Sequence, residues 1–226
     1  MENNYLKEEK ISVLLRKFSI FLITLVNNLI LYKISVSSGY DTAITQGAIT
    51  LAFKVFGIVI SIAIGIVAGG APIIGYNYGA LEYNRVKKTL KYIISIVLIV
   101  GVVATILFEF FPNIFLYIFG DGGEGIDKEI YKIFVYKTFR IYLSFILATC
   151  LIKVISIFLQ SIGKALEATI VTVCRDVIFL IPLALILGLC FDVDVFLWSA
   201  PIADLLGLIL ALVLLFITLN KMKKSE

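Results

Sequence analysis

The sequence predicts an all-α, polytopic membrane protein with six transmembrane helices and both ends of the chain in the cytoplasm. Of its 226 residues, 61% are hydrophobic and only 16% are charged, whereas soluble domains are roughly 45–50% apolar and about 25% charged. A soluble fold of this size could not cover so many apolar side chains. The apolar residues also fall into runs of about 20 or more, the length that crosses a bilayer.

Six apolar segments follow one another along the chain. The first runs from about residue 11 to residue 34 and lacks the small-residue cleavage site of a secretory signal. The second runs from about 42 to 75, and the sequence from Gly69 to Pro72 predicts that it bends or ends there. The remaining segments are expected at about 91–111, 139–160, 168–190 and 196–219. Residues 1–226 therefore form a single six-helix transmembrane lobe.

Two features between the segments refine this picture. Pro112 is expected to end the third segment. A short amphipathic helix is expected around residues 128–134, in the loop before the fourth segment.

The distribution of basic residues predicts the orientation. The two termini and the loops on their side of the membrane hold twelve lysine and arginine residues, and the opposite side holds five. Because cytoplasmic loops are enriched in Lys and Arg, the richer side is expected to be cytoplasmic. The protein should therefore be a multi-pass protein of the plasma membrane with both ends inside.

Several function classes are excluded or disfavoured by composition. The chain has no histidine, so a Ser-His-Asp triad or a histidine-based zinc site cannot form. Cys150, Cys174 and Cys190 lie in apolar runs without paired spacing and are expected to be small buried residues. The basic residues cluster at segment ends, so nucleic-acid binding is not expected, and no Walker-type phosphate loop is present. We expect no enzyme activity and no cofactor.

Charged residues inside membrane segments indicate function because they are unfavourable in lipid. The candidates for a substrate or ion pathway are Lys54, Lys153, Arg175, Asp176 and Asp204. Helical rise places Lys54 and Asp204 roughly 13–18 Å from the outer ends of their segments, and Lys153 and Asp176 roughly 12 Å from the cytoplasmic ends. Matched depths predict the pairs Lys153–Asp176 and Lys54–Asp204. Two interpretations stay open: ion pairs that only hold helices together, or groups that line a water-filled cavity and help move protons or cationic substrates.

The spacing of Gly65 and Gly69 on the second segment is typical of a close helix–helix contact. We expect another helix of the bundle to pack there.

The end of the second segment carries the most specific motif. It reads GIVAGGAPIIGYNYGA from residue 65, followed by NRVKK from residue 84, and its characteristic positions are Pro72, Gly75, Tyr76, Asn77 and Gly79. This closely resembles the second-half motif of the multidrug and toxic compound extrusion (MATE) family. Further matches follow in the family's order: residues 158–165 with Gln160 and Gly163, residues 174–182, and residues 197–204. Residues 140–142 and Lys54 also fit, whereas Ala68 and Ala71 stand where members often have Gln, and Lys153 is not expected.

The resemblance implies an antiporter that exports cationic, often aromatic compounds in exchange for H⁺ or Na⁺ by alternating access. Members have two six-helix lobes, and this chain looks like the C-terminal lobe alone, working with an N-terminal lobe in trans or as a homodimer. In many members the main coupling carboxylate lies on the first helix of the other lobe, so the resemblance transfers no catalytic residue. The alternatives are a truncated, inactive membrane fragment or a lobe of a related lipid-linked oligosaccharide flippase.

Overall fold

The structure is a computed structural model that describes residues 41–224 except 121 and 124, together with scattered positions between Leu14 and Ser35. Most of the first predicted segment and both ends of the chain therefore lie outside the described residues, although the described positions of that segment are helical. From residue 41 onward the helices are α1 (Thr42–Gly79), α2 (Tyr83–Phe110), α3 (Pro112–Phe119), α4 (Lys128–Tyr142), α5 (Ile146–Ser161), α6 (Ala165–Val173), a π-helical turn (Cys174–Leu180, the π segment), α7 (Ile181–Cys190), α8 (Val193–Phe196) and α9 (Ser199–Lys224).

Helix α1 is a single helix of 38 residues. Asp41 caps its start by accepting a hydrogen bond from the Ala43 N–H at 2.9 Å. The predicted end near Pro72 is wrong, since α1 continues to Gly79 with Pro72 inside it. Proline costs one backbone hydrogen bond, which long membrane helices tolerate. The helix ends only where Leu81 adopts φ 61°. Its length of about 57 Å exceeds the bilayer core, so its ends project.

Helices α2 and α3 meet at the predicted breaker. Helix α2 ends at Phe110, and Pro112 is the first residue of α3. Proline suits that position because its missing N–H would have no helical partner there. Helix α2 begins at Tyr83, about two turns before the predicted start, since its first turns are polar and lie outside the apolar stretch.

The fourth predicted segment is divided between two helices. Helices α4 and α5 are bent by 47° relative to each other. Between them, the Ser144 hydroxyl donates to the Ile141 carbonyl at 2.7 Å, a side-chain bond that competes with helix continuation. The expected amphipathic helix is therefore longer, starting at Lys128, where Asp127 accepts from the next backbone N–H groups.

The fifth predicted segment is one apolar run from Ala165 to Cys190 that contains the π segment. Proline excludes the carbonyl four residues before it, and Pro182 follows the π segment by two residues. A π-helical turn before the proline is wider than an α-helical turn and can relieve this clash.

The described helices give four spans long and apolar enough to cross a membrane, or five if the bent pair α4–α5 is one span. Helix α1 packs against α2, α4 and α5, and α9 packs against α5 and the π segment. Six spans and the orientation of the termini stay predictions, because the first segment lies mostly outside the described range.

Candidate functional site

Arg175 bridges two buried carboxylates in the interior of the bundle. Its Nε and Nη2 donate to Asp204 Oδ1 at 2.8 and 2.5 Å, and its Nη1 donates to Asp176 Oδ1 at 2.8 Å. Asp176 is 4% exposed and Asp204 is 2% exposed. Charge-assisted bonds of this length are among the stronger interactions inside a protein. We refer to Arg175, Asp176 and Asp204 as the charged cluster.

Two elements supply the charged cluster, and a glycine makes room for it. Arg175 and Asp176 lie on the π segment, and Asp204 lies on α9. A Cβ on Gly207 of α9 would come within 2.8 Å of Arg175 Cγ and 2.9 Å of its Cβ. Only glycine therefore lets the arginine stem lie flat against α9.

Helix α5 forms the third wall of the cluster. Thr149 is 1% exposed, and its hydroxyl lies beside the Asp204 carboxylate, to which it can donate a hydrogen bond. Cys150 follows it, also buried. Lys153 lies one turn further along α5 and is half-buried. The charged cluster thus faces one hydroxyl and one thiol from α5.

Helical rise from the predicted outer end of α2 gives the expected depth of the charged cluster. Gly101 of α2 approaches Leu147 of α5, with an added Cβ 3.3 Å from the leucine side chain. Gly101 is about 15 Å from the predicted outer end of α2, and Thr149 is about 3 Å deeper than Leu147. These depths are close to half the thickness of a ~30 Å hydrocarbon core. An unpaired charge at this depth would be strongly unfavourable, which explains why Arg175 is held by two carboxylates.

Polar contacts continue from the cluster toward the predicted cytoplasmic end. The Ser156 hydroxyl bonds to the Ala168 carbonyl at 3.0 Å and contacts the Thr172 hydroxyl at 3.1 Å. Lys164 Nζ donates to the Thr218 hydroxyl at 3.1 Å and lies 3.6 Å from Glu167. The interface of α5, α6 and α9 is therefore polar along much of its length.

The predicted pair of Lys54 with Asp204 is wrong. Asp204 is held by Arg175, while the Lys54 side chain is exposed and makes no ion pair or hydrogen bond with the described residues. Gly70 faces Ile93 across α1 and α2. The same length of helix, about 24 Å, separates Gly70 from Lys54 and Ile93 from Glu109. Lys54 therefore lies beside the last turn of α2, and its depth in the membrane stays a prediction.

The other predicted pair, Lys153 with Asp176, stays a prediction. The structure gives Asp176 an ion-pair partner in Arg175, its neighbour in sequence.

The expected helix contact at Gly65 and Gly69 is not made within the described part of the chain. A Cβ added at either glycine would meet nothing within 4 Å. Both glycines lie on an open face of α1 that also carries Lys54, Ser61 and Ala68. The small residues there are available to a helix from elsewhere.

Three of the family-motif residues make specific contacts or turns at the predicted cytoplasmic end. Asn77 is buried and its amide donates to the Ile73 carbonyl at 2.7 Å. Gly75 allows close approach, since a Cβ there would lie 3.1 Å from the Ser161 carbonyl. Gly163 adopts φ 81° in the turn between α5 and α6. Pro72, Tyr76 and Gly79 are exposed, and Gln160 is half-buried.

Other possible sites in the described chain have fewer buried charged groups than the charged cluster. No group of three His, Cys, Asp or Glu residues in the described chain could hold a metal ion. Cys150 is buried as expected, whereas Cys174 is half-buried and Cys190 is exposed. An open groove of about 490 Å³ lies between α3 and α4, lined by Tyr117, Lys128 and Lys132 among others. It shares no residue with the charged cluster.

Sequence reasoning found every member of the charged cluster but assigned the wrong partner to Asp204. Depth alone cannot tell which face of a helix a residue occupies. Neither the π segment nor the role of Thr149 was predicted. Pro182, which follows the π segment by two residues, is the feature of the sequence that could have indicated this segment.

Comparison with known proteins identifies the family. The MatE family model matches residues 18–186. An outward-facing multidrug resistance MATE family transporter of the MOP superfamily superposes with a TM-score of 0.80 at 17% identity, over 93% of this chain and 45% of that chain. An inward-facing one gives a TM-score of 0.77 at 16% identity, over 94% and 47%. A MOP superfamily transporter from Pyrococcus furiosus, described by the reverse polarity of its binding pocket, gives 0.80 at 16%, over 92% and 45%.

The chain spans slightly under half the length of these transporters, and at this identity the structural likeness concerns the fold. No curated protein sequence matches the chain. The family model covers about three quarters of the sequence, its helices are long and apolar, and the protein is a multi-pass membrane protein that belongs to the MatE family of transporters.

Proposed function

We propose that this chain forms one lobe of a secondary antiporter in the plasma membrane that exports cationic drugs or metabolites in exchange for H⁺ or Na⁺. The observation that carries the proposal is the fit of nearly the whole chain to slightly under half of a MATE transporter, in both outward- and inward-facing forms. The similar TM-scores, 0.80 and 0.77, support a lobe that keeps its fold in both forms, as alternating access by rigid-body motion requires.

A second lobe is needed for a transport pathway between lobes. It comes from a separate N-terminal lobe or from a second copy of this chain. Both are geometrically possible, because lobes related by an axis along the membrane normal share one orientation. The open glycine face of α1 offers a place for such a contact, since a Cβ at Gly65 or Gly69 meets no atom of the described residues within 4 Å.

The charged cluster supports an ion-coupled mechanism over a passive role. Buried charges at mid-membrane depth are rare and usually mark ion or substrate pathways. In this lobe they lie between α5, the π segment and α9, and π-helical turns are frequent at functional sites.

The test is efflux of a fluorescent cation from proteoliposomes under an imposed proton or sodium gradient. The chain is reconstituted alone and together with a co-expressed N-terminal lobe of the family. We expect gradient-driven efflux in at least one preparation, abolished when the gradient is dissipated. Absence of gradient-dependent flux in both would leave an inactive membrane fragment and contradict the proposal.

A further inference from the structure

We propose that Asp204 is a proton-binding site inside the lobe, with Arg175 as its built-in counter-cation and Thr149 as the partner of the protonated carboxyl. The inference rests on the proposed antiport only for the use of the proton as the coupling ion. Proton binding itself does not require transport.

The charge balance of the cluster makes Asp204 the group that can take up a proton. One guanidinium serves two carboxylates, and both of its contacts to Asp204 fall on the same oxygen, Oδ1. If Asp204 is neutralised, Arg175 keeps the 2.8 Å contact to Asp176 on its own segment. After proton uptake Arg175 therefore still has Asp176 as its counter-ion. An arginine without a counter-ion would not be tolerated in a dry interior.

Two elements of the described chain contribute the groups that face Asp204. The π segment contributes Arg175 and Asp176, and α5 contributes Thr149 and Cys150. Lys153, the one charged residue of α5, follows Thr149 by one turn. A proton on Asp204 is thus governed chiefly by one arginine and one aspartate.

Thr149 gives Asp204 a hydrogen-bonding group in either protonation state. Its buried hydroxyl lies beside the Asp204 carboxylate. A threonine hydroxyl can donate to an ionised carboxylate, and its oxygen can accept from a protonated one. Asp204 can therefore take up a proton without leaving its own oxygens or the threonine hydroxyl unsatisfied.

The proton transfer has a defined structural consequence. The proton binds to the Asp204 carboxylate, the two hydrogen bonds from Arg175 to Asp204 weaken, and Arg175 stays on Asp176. The charge contact between the π segment and α9 is then lost, while Arg175 and Asp176 remain paired within the π segment. Proton binding would therefore loosen one interface of the lobe.

The experiment is infrared difference spectroscopy of the purified chain in lipid nanodiscs, over roughly pH 3 to 9, where carboxyl groups in proteins titrate. We expect a carboxylic-acid C=O band that appears on acidification and shifts only slowly in D₂O, as a buried group should. Asp204→Asn should remove this band, while the matched change Asp194→Asn, at a half-exposed carboxylate, should leave it.

A milder variant protects the test against misfolding of Asp204→Asn. Thr149→Val keeps the shape and removes only the hydroxyl, so we expect the slow band to persist at a shifted frequency, because the carboxyl loses a hydrogen bond. A band at an unchanged frequency would overturn the role of Thr149. Identical spectra for the unchanged chain and a folded Asp204→Asn would overturn the proton site.

A sodium titration at fixed pH separates the proton from the other coupling ion. We expect the band to be insensitive to Na⁺, and its loss on adding Na⁺ would overturn the proton as the occupant. Because no step measures transport, a negative result here is distinct from a failure of gradient-driven efflux.

Discussion

Two charged residues inside apolar runs, Asp204 and Lys54, have opposite environments. Asp204 is 2% exposed, expected near mid-membrane, and bonded to Arg175 at 2.5 and 2.8 Å. Lys54 is exposed, beside the last turn of α2, and makes no contact with a charged group among the described residues. Along the sequence the two look alike, since each interrupts an apolar stretch. The difference teaches that the interior of the lobe tolerates charge only as a paired cluster, while its surface tolerates charge only near an end.

The largest expected difference in stability is between two variants that each remove one positive charge, one from the charged cluster and one from the surface. Arg175→Gln leaves two buried carboxylates without their cation, and breaking a buried pair costs about 3–5 kcal/mol. Lys54→Gln removes an exposed charge and should leave the stability unchanged. Unfolding by SDS in mixed micelles measures both, and equal losses for the two variants would contradict the assigned environments.

Glycines provide the next contrast, because one is packed and one is open. Gly207→Ala would force a Cβ to within 2.8 Å of Arg175 Cγ, and overpacking of this kind costs about 1–3 kcal/mol. Gly65→Ala meets nothing within 4 Å and should be neutral or slightly stabilising in the isolated lobe, since alanine favours helix. The same unfolding assay applies, and a loss at Gly65 but not at Gly207 would be the opposite of the expected order.

A third change examines the polar interface below the cluster. Ser156→Ala removes the bond to the Ala168 carbonyl and the contact to Thr172, and we expect a loss of about 1 kcal/mol. Ser61→Ala is the matched control, because its hydroxyl bonds only within α1 at an exposed position. If both serines proved dispensable, the interface would depend on apolar packing alone.

The smallest effect is expected at the ion pair between Lys137 and Asp194, near the outer end. Both side chains are about two-fifths exposed (39% and 42%), and such pairs contribute at most about 1 kcal/mol. Lys137→Gln should lower the stability slightly at low salt and not at high salt, because screening removes the interaction. A salt-independent loss would indicate a packing role for the lysine stem.

Much of the fold could be predicted because hydropathy records which stretches lie in lipid. The helix break at Pro112 followed from proline chemistry alone. The end assigned near Pro72 did not hold, since a long membrane helix absorbs one missing hydrogen bond, and the bend between α4 and α5 depends on a local serine contact. These outcomes depend on packing and on single side-chain hydrogen bonds. Mean hydropathy over a window of residues contains no information about either.

The members of the charged cluster were predicted, but the partner of Asp204 was not. Arg175, Asp176 and Asp204 stand out because charge is rare in apolar runs. Which of them meet depends on the rotation of each helix, and the π segment changes that rotation from Cys174 onward. No depth estimate contains this information.

The most direct test of the central claim is a double-mutant cycle between Arg175 and Asp204. The cycle compares Arg175→Gln, Asp204→Asn and the combined variant by SDS unfolding in the same micelles. A direct buried pair predicts that the combined variant is more stable than the sum of the single losses implies, with a coupling energy of about 2–3 kcal/mol. Single losses that add to within about 0.5 kcal/mol would contradict the pairing on which the account of the lobe interior rests.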